Sequence, residues 1–307
     1  MAVGEAAVRN GVEAPRTAEV GASAALLAMI LLGSTTATAA KFAVRELPVG
    51  LLPLVRFGVV GVCLLPWTWR SLAAIWREDK WRLLAASTCC VPINQNFFLN
   101  GTKLAPTSHV GLIYAATPLV VLVLATMLGQ ERMRRDKVVG VVLSVLGIVV
   151  IGLGNLAAGG QQGADGFKGD MLLIGAVVSW GAYLTFNKPL VSQHGSLPVL
   201  AATFLVGSLL DLPIAVATMP GWHLRTASAT AWAGLAHMAI AVSLLGLTFQ
   251  NIALRKLDAS RVATVGNVAP LLTILWGVLL LGEPTTGWLV AGAALTLGGV
   301  LWSGRRV

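Results

Sequence analysis

Residues 106–129 read PTSHVGLIYAATPLVVLVLATMLG, a stretch without a single Lys, Arg, Asp or Glu. About 20 apolar residues in a helix span the hydrocarbon core of a bilayer, so this stretch has the length and composition of a membrane crossing. The whole chain is similar, because 56% of its 307 residues are hydrophobic and only 11% are charged. Soluble domains carry about 25% charged residues. A disordered protein, a coiled coil and an ordinary soluble enzyme are therefore excluded.

Apolar runs between the charged segments predict ten such crossings. None of the runs alternates with a period of two, as the strands of a membrane barrel would. The predicted fold is therefore all-α and transmembrane. The predicted spans are 22–42, 50–69, 83–101, 106–129, 138–154, 170–190, 198–218, 230–251, 260–281 and 285–303.

Lys and Arg are unevenly divided between the two sides of these spans. With the N-terminus inside, 16 lie in cytoplasmic segments, five lie in outer segments and Arg56 lies within a span. Basic residues accumulate in cytoplasmic loops, so both termini are predicted to be cytoplasmic. The net charge of +9 follows from the same rule and does not indicate nucleic-acid binding. A cleaved signal peptide ending near Ala39 is the alternative for the first apolar run.

The sequence contains an internal repeat. Residues 105–152 align with 257–304 at a constant offset of 152, without a gap and with eleven identities. The identical pairs include Pro118 with Pro270 and Glu131 with Glu283. Weaker matches upstream are Phe57 with Phe204 and Pro66 with Pro213 at an offset of 147, and Phe97 with Phe249 and Lys103 with Arg255 at an offset of 152.

Two halves of five spans each must enter the membrane from opposite sides, because five is an odd number. The loop 130–137 is basic, whereas its counterpart 282–286 has no Lys or Arg, as expected for loops on opposite faces. Inverted-topology repeats around a central cavity are the architecture of many secondary transporters. The predicted boundaries are a cytoplasmic tail 1–21, a first repeat 22–154, a Gly-rich linker 155–169, a second repeat 170–304 and a cytoplasmic tail 305–307.

These repeats resemble the EamA domain of the drug/metabolite transporter superfamily. The resemblance covers residues from about 22 to 304, and it implies ten helices, cytoplasmic termini and transport of small organic solutes, often export of amino acids or related metabolites. It rests on Asn100–Ser108, Pro118, Leu128–Glu131, Gly140 and Gly147, and on the second copy Ala253–Ser260, Pro270, Leu281–Glu283, Gly292 and Gly299.

Motifs for competing functions are absent from the sequence. It has no G-x-x-x-x-G-K-[ST] motif for an ATP-driven engine, no H-E-x-x-H and no D-D-x-x-D, and its four histidines lack metal-like spacing. We therefore expect no catalytic residue, no metal and no cofactor. Two alternatives stay open: a nucleotide-sugar or sugar-phosphate antiporter, which would need several cationic cavity residues, and a non-transporting membrane protein such as a lipid-modifying enzyme.

Polar residues within spans are candidates for a solute path, because their exposure to lipid is costly. Arg56 either captures a carboxylate or gates the outer mouth, or it snorkels to the headgroups or pairs with a helix end. Asp211 either carries a coupling proton or pairs with a neighbour. The cavity candidates besides Arg56 are Asn94, His109, Tyr114, Trp180, Tyr183, His237, Ser243, Asn267 and Trp276, with bundle packing as the alternative for the aromatic residues.

Pro118 and Pro270 occupy equivalent mid-span positions, where each predicts a kink and a hinge. Glu131 and Glu283 are predicted to tie loops to helix ends. The glycines of spans five and ten predict close helix contacts, including contacts with a second copy in a homodimer. Together these features predict a bacterial inner-membrane secondary transporter that exports small amphipathic metabolites such as amino acids by alternating access.

Overall fold

The computed structural model describes residues 21, 24–129, 135–158, 160–220, 227–256, 262 and 268–304. The regular elements in these residues are helices, and no strand occurs among them. In chain order the helices are α1 (Ala24–Ala43), α2 (Leu51–Thr88), α3 (Asn94–Leu104), α4 (Thr107–Tyr114), α5 (Thr117–Met127), α6 (Arg135–Ala158), α7 (Gly160–His194), α8 (Ser196–Thr218), α9 (Ala229–His237), α10 (Leu247–Lys256), α11 (Val268–Leu281) and α12 (Gly287–Gly304). Two π-helical segments, Cys89–Ile93 and Met238–Gly246, join α2 to α3 and α9 to α10.

Six helical segments of the described chain are long and apolar enough to cross a membrane. Three shorter apolar helices add to them, namely Val138–Ile151, Val268–Leu281 and Gly287–Gly299. Large apolar side chains on the helix surfaces are exposed, such as Leu31 at 62% and Leu279 at 64%. Such a surface belongs in lipid rather than in water. The chain is therefore a multi-pass membrane protein with six to nine membrane-capable helices in its described residues.

The second and third predicted spans belong to two helices that meet at a kink at Asp79. Helix α2 covers 38 residues, of which only Asp79 leaves the helical region (φ −132°, ψ 29°). With the π-helical segment and α3 it forms one helical stretch, Leu51–Leu104. The predicted connection 70–82 contains neither Gly nor Pro, so its Leu, Ala, Arg, Glu and Lys residues continue the helix. At 1.5 Å per residue its 54 residues add up to about 80 Å of helix, divided by the kink at Asp79, and this sum is more than twice the thickness of the hydrocarbon core.

The stretch 106–129 forms two helices rather than one. Helix α4 ends at Tyr114, and α5 begins at Thr117 with Pro118 in its first turn. Proline is tolerated at this position because the first N–H groups of a helix have no intrahelical acceptor. The break at Ala115 and Ala116 thus lies directly before the proline at which the sequence predicts a kink.

Predicted spans related by the sequence repeat pack against each other. Helix α4 lies against α11, α6 against α12, and α2 against α8. Between α2 and α8, the rings of Phe57 and Phe204 meet edge to face with their centroids 4.6 Å apart. Helix α1 of the first predicted span contacts α9 of the eighth. The repeat relates this contact to that between α7 of the sixth span and α3 of the third. The contacts therefore occur in pairs that exchange the two halves of the chain.

The two ends of the bundle have separate sets of polar contacts. At one end the Ser228 backbone N–H and hydroxyl donate to the Glu46 carboxylate at 2.6 and 2.8 Å. This end also holds Glu283 and is called the Glu283 end. At the other end His194 Nε2 lies 2.9 Å from Asp79 Oδ2. It is called the Asp79 end.

The predicted Gly-rich linker 155–169 is helical in its described residues, since α6 ends at Ala158 and α7 begins at Gly160. Two glycines of spans five and ten, Gly147 and Gly292, lie between α6 and α12. A Cβ atom on Gly147 would lie 2.7 Å from Gly292 O, and one on Gly292 would lie 2.9 Å from Gly147 O. These glycines therefore join the two halves of one chain. A homodimer contact stays a prediction.

Candidate functional site

A cavity of about 190 Å³ lies between the two halves of the chain. Helices α1 to α5 line it from the first half, and α7, α10 and α11 line it from the second. Four of the predicted cavity residues and one predicted hinge border it, namely Arg56, Asn94, Tyr114, Trp180 and Pro270. A concave, mostly apolar space with a few polar groups is the usual form of a small-molecule site.

Arg56 is the one Lys or Arg among the described residues that line this cavity. Its side chain is buried, with the residue only 4% exposed. The Nε atom donates to Ser243 Oγ at 2.5 Å, and Nη1 donates to Gln95 Oε1 at 3.1 Å and approaches the Met238 sulfur at 3.9 Å. These partners are all uncharged. The guanidinium is therefore held inside the bundle rather than at the headgroups.

An amide chain continues from Arg56 into the first half. Gln95 accepts from Arg56 and donates from Nε2 to Asn94 Oδ1 at 2.6 Å. Asn94 Nδ2 in turn donates to Tyr114 OH at 3.2 Å and to Ala176 O at 2.7 Å. Each amide oxygen thus faces the donor before it. Asn94 and Gln95 orient the arginine, and only Asn94 of the two was predicted to line a cavity.

Aromatic rings form one side of the cavity. The Trp180 ring lies 4.8 Å from that of Tyr183, measured between centroids, and the Phe98 ring lies 5.8 Å from that of Tyr114. Trp180, Phe98 and Tyr114 line the cavity, whereas Tyr183 is fully buried behind Trp180. The Tyr183 hydroxyl accepts from Asn187 Nδ2 at 3.2 Å. Tyr183 therefore supports the wall rather than facing the cavity.

Gln250 on α10 also lines the cavity and was not singled out from the sequence. The residue is 5% exposed, and its Oε1 atom has no hydrogen-bond partner in the described part of the chain. Buried amide oxygens are normally satisfied, so an unpaired one next to a cavity is suited to a ligand donor. The neighbouring amides Gln250-Asn251 in an apolar span were the available sequence signal.

Three further predicted site residues lie outside the cavity lining, in separate contacts. His109 Nδ1 lies 3.0 Å from Asp170 Oδ1, a buried pair that joins α4 to α7. His237 Nε2 lies 2.7 Å from Thr35 Oγ1 on α1. The Trp276 indole N–H donates to Ser34 Oγ at 3.1 Å. Ser243 likewise takes no place in the lining but accepts from Arg56, and Asn267 lies outside the described residues.

Of the two predicted hinge prolines, Pro270 lies on α11, which packs against α4, whereas Pro118 lies on α5. A Cβ atom on Gly111 would lie only 2.6 Å from Pro270 O, so the backbones of α4 and α11 are in close contact there. Pro118 is buried in the first turn of α5, two residues after the break at Ala116. The small residue Gly111 thus allows two broken or proline-containing helices to cross beside the cavity.

Asp211 on α8 lies apart from the cavity. Asn96 Nδ2 donates to its Oδ1 atom at 2.8 Å, while Oδ2 has no partner in the described residues. The carboxyl group is fully buried, so it is a neighbour-paired acid with one free oxygen. Asp170, at the start of the sixth predicted span, is a second buried acid among the described residues.

Glu283 ties the two halves together at its own end of the bundle. Its carboxylate accepts from the backbone N–H groups of Thr107 and Ser108 at 2.6 and 2.8 Å. An acidic group at a helix N-terminus satisfies free donors and complements the helix dipole. Glu283 thereby caps α4 from across the repeat interface. Glu131, its partner in the sequence repeat, lies outside the described residues.

Equivalent lysines bind the C-terminal carbonyls of equivalent helices. Lys41 Nζ donates to Thr102 O and Ala105 O at 2.6 Å each, and Lys188 Nζ donates to Leu254 O at 2.5 Å. Lys188 follows Lys41 by 147 residues, and Leu254 follows Thr102 by 152, which are the offsets of the repeat. Cations at helix C-termini neutralise free carbonyls. The sequence alignment contained this signal, but the lysines were not singled out.

The described residues contain no group of three or more His, Cys, Asp or Glu side chains that could hold a metal ion. The polar groups of the cavity are one guanidinium, three amides and several hydroxyls. These groups can bind and orient an organic solute.

Comparison with known proteins identifies the chain's relatives. A sequence profile described as the EamA-like transporter family matches residues 19–153 and again 167–305. The "Uncharacterized transporter YetK" of Bacillus subtilis (strain 168) is 24% identical and covers 92% of this chain and 86% of its own. A "Probable amino-acid metabolite efflux pump" of Salmonella typhimurium is 26% identical over 64% of this chain and 66% of its own. A "Probable terminal-alkyne amino-acid exporter" of Streptantibioticus cattleyicolor is 27% identical over 66% and 65%.

A crystal structure also resembles this chain. Its TM-score is 0.65 at 22% sequence identity, and the match covers 92% of this chain and 96% of the other. At this identity the likeness concerns the fold alone.

Proposed function

Because this chain belongs to the EamA-like transporter family, we propose that it exports small amphipathic organic solutes, amino acids or related metabolites, across the bacterial inner membrane. It does so as a secondary transporter by alternating access. The observation that carries the proposal is the cavity between the halves, in which a buried Arg56 faces an aromatic wall. Two relatives bear names that refer to amino-acid export, and these names favour the same solute class.

The proposed architecture is ten crossings in two inverted repeats. The stretch Leu51–Leu104 is long enough to cross twice, with its reversal at Asp79. The pairing of α2 with α8, α4 with α11 and α6 with α12 supports an axis between the halves. The lysine contacts also support it, because Lys41 acts at the Glu283 end and Lys188 at the Asp79 end. Inverted repeats place equivalent groups on opposite faces.

We place the Glu283 end at the periplasm and the Asp79 end, with both termini, in the cytoplasm. The described basic residues near the Asp79 end outnumber those near the Glu283 end, which supports this orientation. The ties made by Glu46, Lys41 and Glu283 then hold the periplasmic side closed. Release of the solute requires these contacts to open.

In the proposed cycle the solute's carboxylate binds Arg56 and its apolar part lies against Trp180. The break before Pro118 and the crossing of α4 with α11 at Pro270 supply the hinge. Asp211 is the candidate for a coupling proton, since one of its oxygens is unpaired in the described structure.

The experiment that tests the proposal is counterflow into proteoliposomes with a broad panel of amino acids and amphipathic solutes, run with and without a proton gradient. We expect saturable exchange of at least one compound above protein-free liposomes. Failure to exchange any member of the panel, with correctly folded and inserted protein, would refute it. Stimulation by the gradient would be lost in Asp211→Asn if that residue couples transport to protons.

A further inference from the structure

We propose that the cavity selects amphipathic carboxylates whose amino group is absent or acylated over free amino acids, with Arg56 binding the carboxylate and Gln250 binding a neutral N–H or O–H group. This inference rests on the proposed transport function and narrows its substrate class.

The charge of the cavity is the first argument. Arg56 brings one positive charge into a buried space, and its described hydrogen-bond partners are neutral. The hydrogen bonds of Arg56 in the described structure come from Nε and Nη1, whereas a guanidinium carries five N–H donors. A buried cation without a counter-ion is costly, and an anion that pairs with it recovers part of that cost. A monoanionic solute therefore neutralises the site.

The second argument is that the described residues of the cavity offer no anionic partner to the ammonium group of a free amino acid. None of the described residues that line the cavity is an Asp or Glu. The acids Asp170 and Glu283 are engaged elsewhere, Asp170 with His109 and Glu283 with the α4 N-terminus, and Asp211 lies apart from the cavity. An ammonium in this cavity would lose its water and gain no anionic partner, and it would also be repelled by Arg56. Acylation of the amine removes that charge.

Gln250 supplies a further argument. Its amide lines the same cavity from the other half of the chain, is 5% exposed, and keeps Oε1 without a partner in the described residues. An unpaired buried acceptor is satisfied by a neutral donor, such as the N–H of an acylated amine. A site built to bind such a donor also rejects analogues that lack it, because the acceptor is then left unpaired.

The wall between these two groups sets the remaining requirement. Trp180, Phe98 and Leu184 present apolar surface to the cavity. An apolar side chain on the solute would be buried against it. The three features together describe a carboxylate, a neutral hydrogen-bond donor and an apolar body in one small molecule.

The test is equilibrium binding to purified protein in nanodiscs, measured by calorimetry with four matched probes. N-acetyl-L-phenylalanine carries all three features, L-phenylalanine has a free ammonium, N-acetyl-L-phenylalanine methyl ester has no carboxylate, and 3-phenylpropionate has no donor. We expect the first to bind at least tenfold more tightly than L-phenylalanine and than the ester, a difference of about 1.4 kcal/mol or more. Equal or tighter binding of L-phenylalanine overturns the inference, and so does no binding of any probe.

Two variants assign the effect to its residues. In Arg56→Gln the preference for the acid over the ester disappears. In Gln250→Leu the advantage of N-acetyl-L-phenylalanine over 3-phenylpropionate disappears while 3-phenylpropionate still binds. An unchanged probe ranking in both variants, each of them monodisperse and folded, also overturns the inference.

Failure here is separable from failure of the proposed function. If counterflow of some solute is found but L-phenylalanine binds as well as its acetyl derivative, transport stands and the selectivity is wrong. If no solute is exchanged, the transport proposal itself fails.

Discussion

At the scale of a single side chain, the question is whether Arg56 serves solute binding or the stability of the fold. Its buried charge is held by Ser243 Oγ, Gln95 Oε1 and the Met238 sulfur, which are neutral. Replacing buried charges with apolar side chains of similar volume is often neutral or stabilising, whereas a charge kept for binding contributes to function at a cost in stability.

We therefore predict that Arg56→Met keeps or raises the melting temperature of the detergent-solubilised protein while it abolishes solute binding. Fluorescence-detected thermal unfolding of wild type and variant measures this directly. Arg45→Met, at an exposed position, is the matched control and should change neither property. A fall of many degrees for Arg56→Met alone would show that the arginine is a structural residue.

Glu46 gives a prediction about pH. Hydrogen bonds from the Ser228 backbone N–H and hydroxyl hold the pKa of Glu46 below its ordinary value of about 4.5. Because the pKa of the folded state is lowered, the contact stabilises the protein above the ordinary pKa and is lost as the pH falls through the lowered one. The stability gap between wild type and Glu46→Gln should thus be full near neutral pH and close in acid. A gap that is constant from pH 7 to pH 3 would contradict this.

Polar residues in apolar runs revealed part of the site from sequence alone. Arg56, Asn94, Tyr114 and Trp180 were found in this way, since polar groups at bilayer depth face protein or a cavity. Gln250 was not predicted, because whether its side chain faces the cavity depends on how its helix is rotated about its axis. It follows the π-helical segment Met238–Gly246, which shifts the helical register that a wheel projection assumes.

At the scale of helices, Glu283 and Gly277 form one contact with α4. A Cβ atom on Gly277 would lie 2.7 Å from Glu283 Oε2, so Gly277→Ala pushes the carboxylate off the Thr107 and Ser108 N–H groups. Hydrogen bonds to charged groups contribute about 1.5–3 kcal/mol each. We predict that Gly277→Ala and Glu283→Gln both open the Glu283 end.

Labelling of a single cysteine measures this opening. Val110→Cys lines the cavity, in a background without Cys63, Cys89 and Cys90, and reacts with a membrane-impermeant maleimide added from the Glu283 side. We expect roughly tenfold faster labelling with either change. Gly287→Ala is the control, since its Cβ would meet open space. Equal rates in all proteins would mean that Glu283 does not hold this end closed.

The contact between α6 and α12 yields a second prediction at this scale. Gly292→Val adds methyl groups where a Cβ already lies 2.7 Å from Ile151 Cγ1 and 2.9 Å from Gly147 O. Overpacking of this kind costs about 1–3 kcal/mol. The melting temperature of Gly292→Val should fall clearly below that of Gly298→Val, which has the same helix propensity and open space around it. Equal melting temperatures of the two variants would show that α6 and α12 do not pack closely at Gly292.

Helix existence followed from apolar composition, but helix boundaries did not. The charged segment 70–82 looks like a loop by composition, yet it contains no Gly or Pro and stays helical except at Asp79. The Gly-rich segment 155–169 was predicted as a linker, yet its described residues are helical. Composition predicts which segments lie in lipid. The position of a helix break depends on single residues, such as Asp79 and Pro118, which an average over a segment does not resolve.

At the scale of the whole molecule, the repeat in the sequence has a counterpart in the contacts. The offset of 147 residues relates Phe57 to Phe204, and their rings touch. The same offset relates Lys41 to Lys188, which bind helix ends at opposite ends of the bundle. The sequence aligns the two lysines at this offset but could not reveal what they bind, because each lysine's partner is a backbone carbonyl.

The central claim is that solutes cross the membrane through the cavity that contains Arg56. Counterflow in proteoliposomes, with wild type, Arg56→Gln and the exposed control Arg45→Gln reconstituted at equal amounts, tests it most directly. Wild type and Arg45→Gln should exchange a carboxylate solute at equal rates, and Arg56→Gln should lose at least nine-tenths of that exchange, in line with about 1.5–3 kcal/mol for a charge-assisted hydrogen bond. Unchanged exchange by Arg56→Gln at normal folding and insertion would contradict the account.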